Sequence, residues 1–174
     1  MTTLYIDESK ANGYTVVAAA VLPREARELQ KVMRDLRKAG QRRVHFVKES
    51  DSRRREILSK LARADAGTRV YHARGMTDAD AREACLVRVI ADAAIHGVTR
   101  IVLERDESIV DFDRRILYRE LSSRGLRDRV SYLHDDAVAE PLLCIPDAVA
   151  WSFARGGEWT TRARPLILEV VDVR

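Results

Sequence analysis

Acidic residues follow three separate apolar segments of the sequence, at the points where those segments end. LYI runs into Asp7 and Glu8, RIVL runs into Glu104, and VSYL runs into a stretch that contains Asp135 and Asp136. Short apolar runs of this length are typical of buried strands. The carboxyl ends of neighbouring parallel strands form the edge of an α/β sheet where ligands bind. We therefore expect these acids to meet at one edge of the sheet.

The first of these segments offers two adjacent carboxylates, and strand alternation separates them. Asp7 shares a face of the strand with Tyr5, whereas Glu8 lies on the opposite face with Ile6. We take Asp7 as the candidate site residue and expect Glu8 to pair with an arginine.

A fourth acid, Asp147, lies in the otherwise apolar run LLCIPDAVAWSF. A carboxylate that faces a core is costly unless it has a partner. Helical spacing places Cys144, Asp147 and Trp151 on one face. The alternative is a role in the first helical turn near Pro146, where the helix dipole stabilises an aspartate.

Carboxylates packed together repel, so a protein either protonates some of them or places a hard cation among them. Oxygen ligands favour Mg²⁺ or Mn²⁺. No Cys or His pair occurs at the spacing of a zinc site, and of the single histidines only His134 adjoins two acids. The candidate ligands of a Mg²⁺ or Mn²⁺ site are Asp7, Glu104, Asp135, Asp136 and Asp147.

Helices and strands alternate along the chain after an opening pair of strands. The strands 3–8 and 14–22 flank Asn12-Gly13, a pair that favours a tight hairpin. The pattern then predicts an amphipathic helix from Pro23 to Gly40, a short strand in RRVHFVKES, and a helix capped by Ser50 or Asp51 that ends near Gly67. A strand in TRVYHAR follows, then a helix with a capping box at Thr77 and Asp80 that ends at Gly97, and the strand 98–104. The last part of the chain is predicted to contain a helix capped by Ser108 and Asp111 that ends at Gly125, the strand 128–136, a helix that starts or kinks at Pro146, and the final strand LILEVVDV.

This order predicts an α/β fold with a mixed sheet, an antiparallel opening hairpin and flanking helices. The length of 174 residues favours a single domain over 1–174. No apolar run is long enough to span a bilayer, so we expect no membrane association. Cys85 and Cys144 lie in apolar periodic segments, which is typical of buried thiols in a reducing cytoplasm.

Basic residues concentrate in the first third of the chain. Residues 24–55 contain twelve Lys or Arg against five Asp or Glu, although the whole chain carries a formal charge of only +4. This asymmetry suits a polyanion that approaches an acidic centre. The alternative is a solvated helix face. The candidate nucleic-acid-binding residues are Lys31, Arg34, Arg42, Arg43, Arg53, Arg54 and Arg55.

Several sequence elements together resemble a known family. They are YIDES at 5–9, VHF at 44–46, LERD at 103–106 and PDAVAW at 146–151. In this order they resemble the RNase H-like superfamily and, more narrowly, the bacterial domain-of-unknown-function-3800 family. The resemblance implies an RNase H-like fold in which Asp7 is the bridging carboxylate, Glu104 the second ligand and Asp147 the helical ligand, with Asp135 or Asp136 as the remaining acid.

The activity that this resemblance implies is two-metal hydrolysis of nucleic-acid phosphodiester bonds, in RNA, DNA or a hybrid. Sequence motifs for phosphate-binding loops, dinucleotide binding and serine nucleophiles are lacking. Two other hypotheses remain: a non-catalytic module that binds nucleic acid or protein, and a phosphoesterase of small nucleotides. The apolar final strand suggests a sheet edge that a homodimer would cover.

Overall fold

A six-stranded sheet forms the centre of the computed structural model, which describes all 174 residues. Its strands are β1 (Thr2–Ser9), β2 (Tyr14–Val21), β3 (Thr68–Ala73), β4 (Val98–Glu104), β5 (Ser131–Asp135) and β6 (Ile167–Val173). They lie in the order β5-β4-β1-β2-β3-β6. β2 runs antiparallel to both of its neighbours, and the other strand pairs are parallel. The predicted α/β class with a mixed sheet and an antiparallel opening pair is confirmed.

Six helices cover the two faces of the sheet. They are α1 (Pro23–Leu36), α2 (Asp51–Arg63), α3 (Asp78–Ile95), α4 (Val110–Ser123), α5 (Cys144–Arg155) and α6 (Glu158–Ala163). α1, α2, α5 and α6 pack in one core, and α3 and α4 pack in a second core on the other face. Alternate residues of each strand enter the two cores, as Val17 and Val16 of β2 do. No helix combines the length and apolarity required to span a bilayer.

The turn between β1 and β2 has the backbone conformation that its sequence predicts. Asn12 and Gly13 both have positive φ, 57° and 96°, a left-handed backbone conformation that Asn and Gly adopt more readily than other residues. The turn sets the register in which Ser9 faces Thr15 and Asp7 faces Val17. It thereby determines which residues of β1 point toward α5.

The predicted N-terminal caps of two helices are confirmed, and that of a third is wrong. The hydroxyl of Ser50 accepts a hydrogen bond from the amide of Arg53 at the start of α2, and Thr77 accepts from Asp80 at the start of α3. Ser108 and Asp111 do not cap α4. Instead, Asp106 accepts hydrogen bonds from the amide and hydroxyl of Ser108, which forms a tight turn before the helix.

The strand predicted in RRVHFVKES is also wrong. Phe46–Lys48 forms a 3₁₀ turn, and the buried side chains of Val44 and Phe46 belong to a loop. Arg54 donates hydrogen bonds to the carbonyls of Phe46 and Val47, at 3.1 and 2.5 Å. The backbone therefore finds its partners in a side chain rather than in a neighbouring strand.

Other boundaries differ by a few residues from those predicted. α1 ends at Leu36 rather than Gly40, β5 covers 131–135 rather than 128–136, and the short α6 was not predicted. β6 lies at the edge of the sheet, as expected, with Leu168 and Val170 exposed. Whether a second copy covers this edge stays a prediction.

We expect Gly13→Ala to destabilise the protein by about 1 kcal/mol or more beyond Gly40→Ala. Both glycines have positive φ, but a Cβ at position 13 would lie 2.9 Å from the carbonyl oxygen of Ala73, whereas a Cβ at position 40 would meet nothing within 4 Å. Urea denaturation of the two variants measures the difference. Equal losses would show that the close approach to β3 does not constrain the hairpin.

Candidate metal centre

The register between β1 and β4 brings Asp7 and Glu104 side by side. Ile6 is the partner of Leu103 in this parallel pair, so the next residue of each strand is an acid. Strand alternation places Asp7 on the same face as Tyr5, and Glu104 on the same face as Val102. This is the face of the sheet that packs against α5. Both carboxylates are partly buried.

Asp147 reaches the same edge from the helix above it. α5 begins at Cys144 and packs across β1 and β2, with Asp147 in its first turn. Pro146 also lies in this turn, where its missing N–H breaks no helical hydrogen bond. The predicted start of a helix at this proline is confirmed, to within two residues. The amide of Phe46 donates a hydrogen bond of 3.3 Å to Oδ2 of Asp147.

The three carboxylates hinder one another's ionisation. Burial raises the pKa of Asp7 well above its ordinary value, and the charges of Asp147, Glu8 and Glu104 raise it further. Burial raises the pKa of Asp147 to about 6; the Phe46 amide and Arg43 oppose this shift, and Glu104 adds to it. Like-charge repulsion in a partly desolvated site is the arrangement that a bound cation would relieve.

Glu104 completes this pattern, with a partner of its own. Burial raises its pKa, Arg43 lowers it, and the charges of Asp136 and Glu8 raise it. Nη1 of Arg43 donates to Oε1 of Glu104 at 2.8 Å. The sequence pattern predicted Arg43 as a phosphate-binding residue, and here its guanidinium neutralises one of the acids.

Each of the three acids has one oxygen occupied by a protein donor. The donors are Arg43 to Glu104, the Phe46 amide to Asp147, and the Glu8 amide to Asp7 at 2.7 Å. In this arrangement no group of three or more His, Cys, Asp or Glu side chains is placed to hold a metal ion. Coordination by these acids would require their side chains to turn. The donor set itself, oxygen throughout, is the one that Mg²⁺ and Mn²⁺ favour.

Asp135 and Asp136 both lie at this edge, in different settings. Asp135 is the partner of Glu104 in the β4–β5 register, and strand alternation places it on the same face as Leu133, toward α5. Asp136 is exposed, and its Oδ1 accepts from the amides of Val138 and Ala139, which lowers its pKa. The strand register favours Asp135 as a ligand, whereas the raised pKa of Glu104, to which the charge of Asp136 contributes, favours Asp136.

Glu8 and His134 point away from these acids, to the opposite face of the sheet. Glu8 forms a salt bridge of 3.0 Å with Arg82, as strand alternation predicts. Nε2 of His134 lies 2.9 Å from Oδ2 of Asp113 on α4. His134 adjoins Asp135 in sequence, but it is not part of the cluster.

The seven basic candidates fall into two groups. Lys31, Arg34 and Arg42 are exposed. The other four already have acidic partners within the protein: Arg43 with Glu104, Arg53 with Glu49 and Glu56, Arg54 with Asp51, and Arg55 with Glu158. The first group is thus the more available to a polyanion.

Cys144 and Trp151, which helical spacing placed on one face with Asp147, both adjoin the acids, and the contact of Trp151 with Arg54 was not predicted. The thiol of Cys144 is fully buried, and burial and the charges of Asp147 and Asp7 raise its pKa. Trp151, one turn beyond Asp147, lies under the guanidinium of Arg54 at 4.4 Å from the ring centre. Ser9, Asn12, Trp151 and Arg155 line a cleft of about 240 Å³ beside this part of α5.

Larger clefts of the surface lie elsewhere. One of about 580 Å³ lies between α3 and the end of β6, and another of about 350 Å³ includes Thr2 and Val98 at the opposite end of the sheet. The acids line none of these clefts, so the site is defined by their mutual placement and charge.

Comparison with known proteins adds no assignment. No protein-family model matches the chain, and a search of curated proteins finds no match. The resemblance to the RNase H-like superfamily therefore stays a prediction.

The raised pKa values imply that the acids destabilise the protein at neutral pH when no cation is present. Because the folded state retains protons on these acids that the unfolded state has lost, their contribution to the free energy of unfolding should fall as pH rises from about 4 to about 7. Asp147→Asn removes one such charge and should raise the free energy of unfolding by about 1 to 2 kcal/mol at pH 7.5.

Denaturant unfolding in the presence of a chelator, at pH 7.5 and pH 4.5, measures this effect. The gain should shrink at the lower pH. Asp111→Asn, at an exposed carboxylate on α4, is the matched control and should show no such gain. A loss of stability in Asp147→Asn at pH 7.5 would contradict the interpretation of this carboxylate as strained.

Proposed function

We propose that this chain is a Mg²⁺- or Mn²⁺-dependent nuclease that hydrolyses phosphodiester bonds of RNA, DNA or a hybrid. The observation that carries the proposal is the convergence of Asp7, Glu104 and Asp147 from two strands and a helix, close enough that Asp147 and Glu104 raise the pKa of Asp7 and Glu104 raises that of Asp147. The antiparallel hairpin that carries Asp7 and the late helix that carries Asp147 support the RNase H-like layout to which the sequence is similar.

Asp7 is the natural bridging ligand in this proposal. It lies between the other two acids: Glu104 is beside it on β4, and α5 holds Asp147 above β1. Asp135 or Asp136 would supply the fourth carboxylate. When bound, the metal ions would activate a water molecule for in-line attack and stabilise the leaving 3′ oxygen.

The protein's own groups would set the geometry of this reaction. The Phe46 amide holds one oxygen of Asp147 and leaves the other for coordination. Arg43, whose side chain is about one-third exposed, would exchange its partner Glu104 for a phosphate of the substrate. In that exchange the carboxylate becomes available to the cation as the guanidinium takes up the anion.

Exposed basic residues near the start of the chain would hold the nucleic-acid backbone. Lys31 and Arg34 on α1, with Arg42 in the loop that leads to Arg43, present charge to solvent. Contacts of this kind are sequence-independent and weaken as salt increases.

A specific observation favours the second candidate, a non-catalytic module that binds nucleic acid or protein. The Arg43–Glu104 ion pair and the two amide donors satisfy the acids without any cation. In such a module the cluster would hold the loop of Arg43 and Phe46 against the sheet. Metal binding distinguishes the two candidates.

We expect Mn²⁺ to raise the melting temperature of the wild-type protein, because a ligand that binds only the folded state at 100 times its Kd contributes about 2.7 kcal/mol. Asp7→Asn and Glu104→Gln should abolish the rise. Glu107→Gln, at an exposed acid beyond the end of β4, is the control and should retain it. An unchanged wild-type melting temperature at millimolar Mn²⁺ would favour the non-catalytic module.

The catalytic claim is tested separately with mixed RNA, DNA and hybrid substrates in Mn²⁺. Wild type should cleave at least one of them, and folded Asp7→Asn should cleave none. The claim would be refuted if neither wild type nor Asp7→Asn cleaved any of the substrates.

Neutralising the exposed basic residues should weaken binding of nucleic acid and reduce its salt dependence. For the triple variant Lys31→Ala, Arg34→Ala, Arg42→Ala, the slope of log K against log salt should fall by about 2 to 3 if each residue contacts one phosphate. Arg129→Ala is the control, because Arg129 is exposed and precedes β5, at the other end of the strands from the acids. Binding measured by fluorescence anisotropy across a salt series gives the slopes, and an unchanged slope would show that the polyanion binds elsewhere.

A further inference from the structure

A buried polar network lies on the opposite face of the sheet from the acids. Its centre is Arg82 of α3, which is only 2% exposed, and its neighbours Asp113 and His134 are 0% and 6% exposed. A buried guanidinium and carboxylate are costly unless they are paired and hydrogen-bonded. The proposed nuclease mechanism makes no use of this network.

Arg82 joins four other side chains, directly or through Asp113. Its Nε and Nη2 donate to the two oxygens of Asp113 at 2.5 and 2.7 Å, which forms a two-pronged ion pair. Its Nη1 lies 3.0 Å from Oε2 of Glu8 and 3.0 Å from the hydroxyl of Tyr14. Asp113 in turn contacts His134 at 2.9 Å. No buried side-chain nitrogen or oxygen of this set lacks a hydrogen-bond partner.

The network joins the two strands that flank β4. Glu8 and His134 each lie one residue before the end of their strands, β1 and β5. Because the sheet order is β5-β4-β1, these two strands are separated by the strand that carries Glu104. Two strand spacings are about 10 Å, a gap that neither side chain crosses alone and that Arg82 with Asp113 fills.

Each end of the network is the direct neighbour of a candidate ligand. Glu8 follows Asp7, and His134 precedes Asp135. Since successive side chains of a strand point to opposite faces, an anchored Glu8 sets the direction of Asp7, and an anchored His134 sets that of Asp135. Repulsion among the acids on one face would push β1 and β5 apart, and the ion pairs on the other face oppose that movement.

We infer that Arg82 and Asp113 are positioning residues, which clamp the ends of β1 and β5 across β4 and so hold the backbones of Asp7 and Asp135 where their side chains can turn to a shared divalent cation. This inference rests on the proposed metal site. It assigns a function to two charged residues that touch neither metal nor substrate.

Electrostatics alone predicts the opposite effect from positioning when Arg82 is replaced. Loss of a positive charge near the acids favours a cation, so Arg82→Met should strengthen Mn²⁺ binding if charge is all that matters. Arg82→Lys retains the charge and should then change nothing. A clamp predicts weaker binding in both variants, because methionine makes no ion pair and a lysine ammonium cannot form the two-pronged pair with Asp113.

The test measures Mn²⁺ affinity of the full chain by electron paramagnetic resonance of free Mn²⁺, with melting temperatures recorded in a chelator. Leu86→Ala is the matched control, since Leu86 is fully buried one turn along α3 and its truncation destabilises the protein while removing no ion pair or hydrogen bond of the network. We expect the Arg82 variants to lose about tenfold in affinity, and Leu86→Ala to stay within about twofold of wild type.

The outcomes separate the two proposals. If wild type does not bind Mn²⁺, the proposed metal site fails and the positioning role fails with it. If wild type binds and the folded Arg82→Lys variant binds equally well, only the clamp is overturned. Should Arg82→Met fail to fold, the lysine variant decides alone. An equal loss of affinity in Leu86→Ala would reduce the effect to general destabilisation and would also overturn the clamp.

Discussion

Repulsion among carboxylates at one edge of a sheet is the constraint on which the rest of the structure depends. Two like charges 4 Å apart near a protein surface repel by roughly 4 kcal/mol, and this edge receives Asp7, Glu104 and Asp147 together. Burial adds to the cost of ionising each of them. A fold that gathers such groups must compensate the charge, and the surrounding contacts show how this one does.

The compensation comes from both faces of the sheet. On the face of the acids, Arg43 pairs with Glu104 and two backbone amides donate to Asp7 and Asp147. On the other face, Arg82 and Asp113 join the strands that repulsion would separate. A divalent cation would replace the part of this compensation that Arg43 provides. The same residues thus serve stability without a cation and, in our proposal, catalysis with one.

The sequence was sufficient for most of the scaffold because local patterns dominate there. Asn and Gly adopt positive φ readily, so Asn12-Gly13 predicted the hairpin, and strand alternation predicted the direction of Asp7. The alternation of helices and strands predicted the α/β class. The strand predicted in RRVHFVKES was wrong because its apolar residues are buried in a loop. The backbone carbonyls of this loop accept hydrogen bonds from the side chain of Arg54 on α2. This partner is a side chain eight residues further along the chain. No periodic sequence pattern indicates such a contact.

The acids could be predicted from their positions after apolar strands, but their partners could not. Arg43 is one of many arginines, and only the folded chain places it against Glu104. Asp113 and Arg82 could be recognised, because each lies on the apolar stripe of its helix. Asp113 is three residues after Val110 on α4, and Arg82 is three residues before Cys85 on α3. A charged residue at a core position indicates a buried partner, although the sequence does not say which one.

The central claim is that Asp7, Glu104 and Asp147 together hold a divalent cation. Anomalous X-ray diffraction from crystals grown with Mn²⁺ tests it most directly. We predict a peak among these three carboxylates, with Arg43 turned away from Glu104. Ordered carboxylates that keep their present hydrogen bonds, with no anomalous peak among them at millimolar Mn²⁺, would contradict the account.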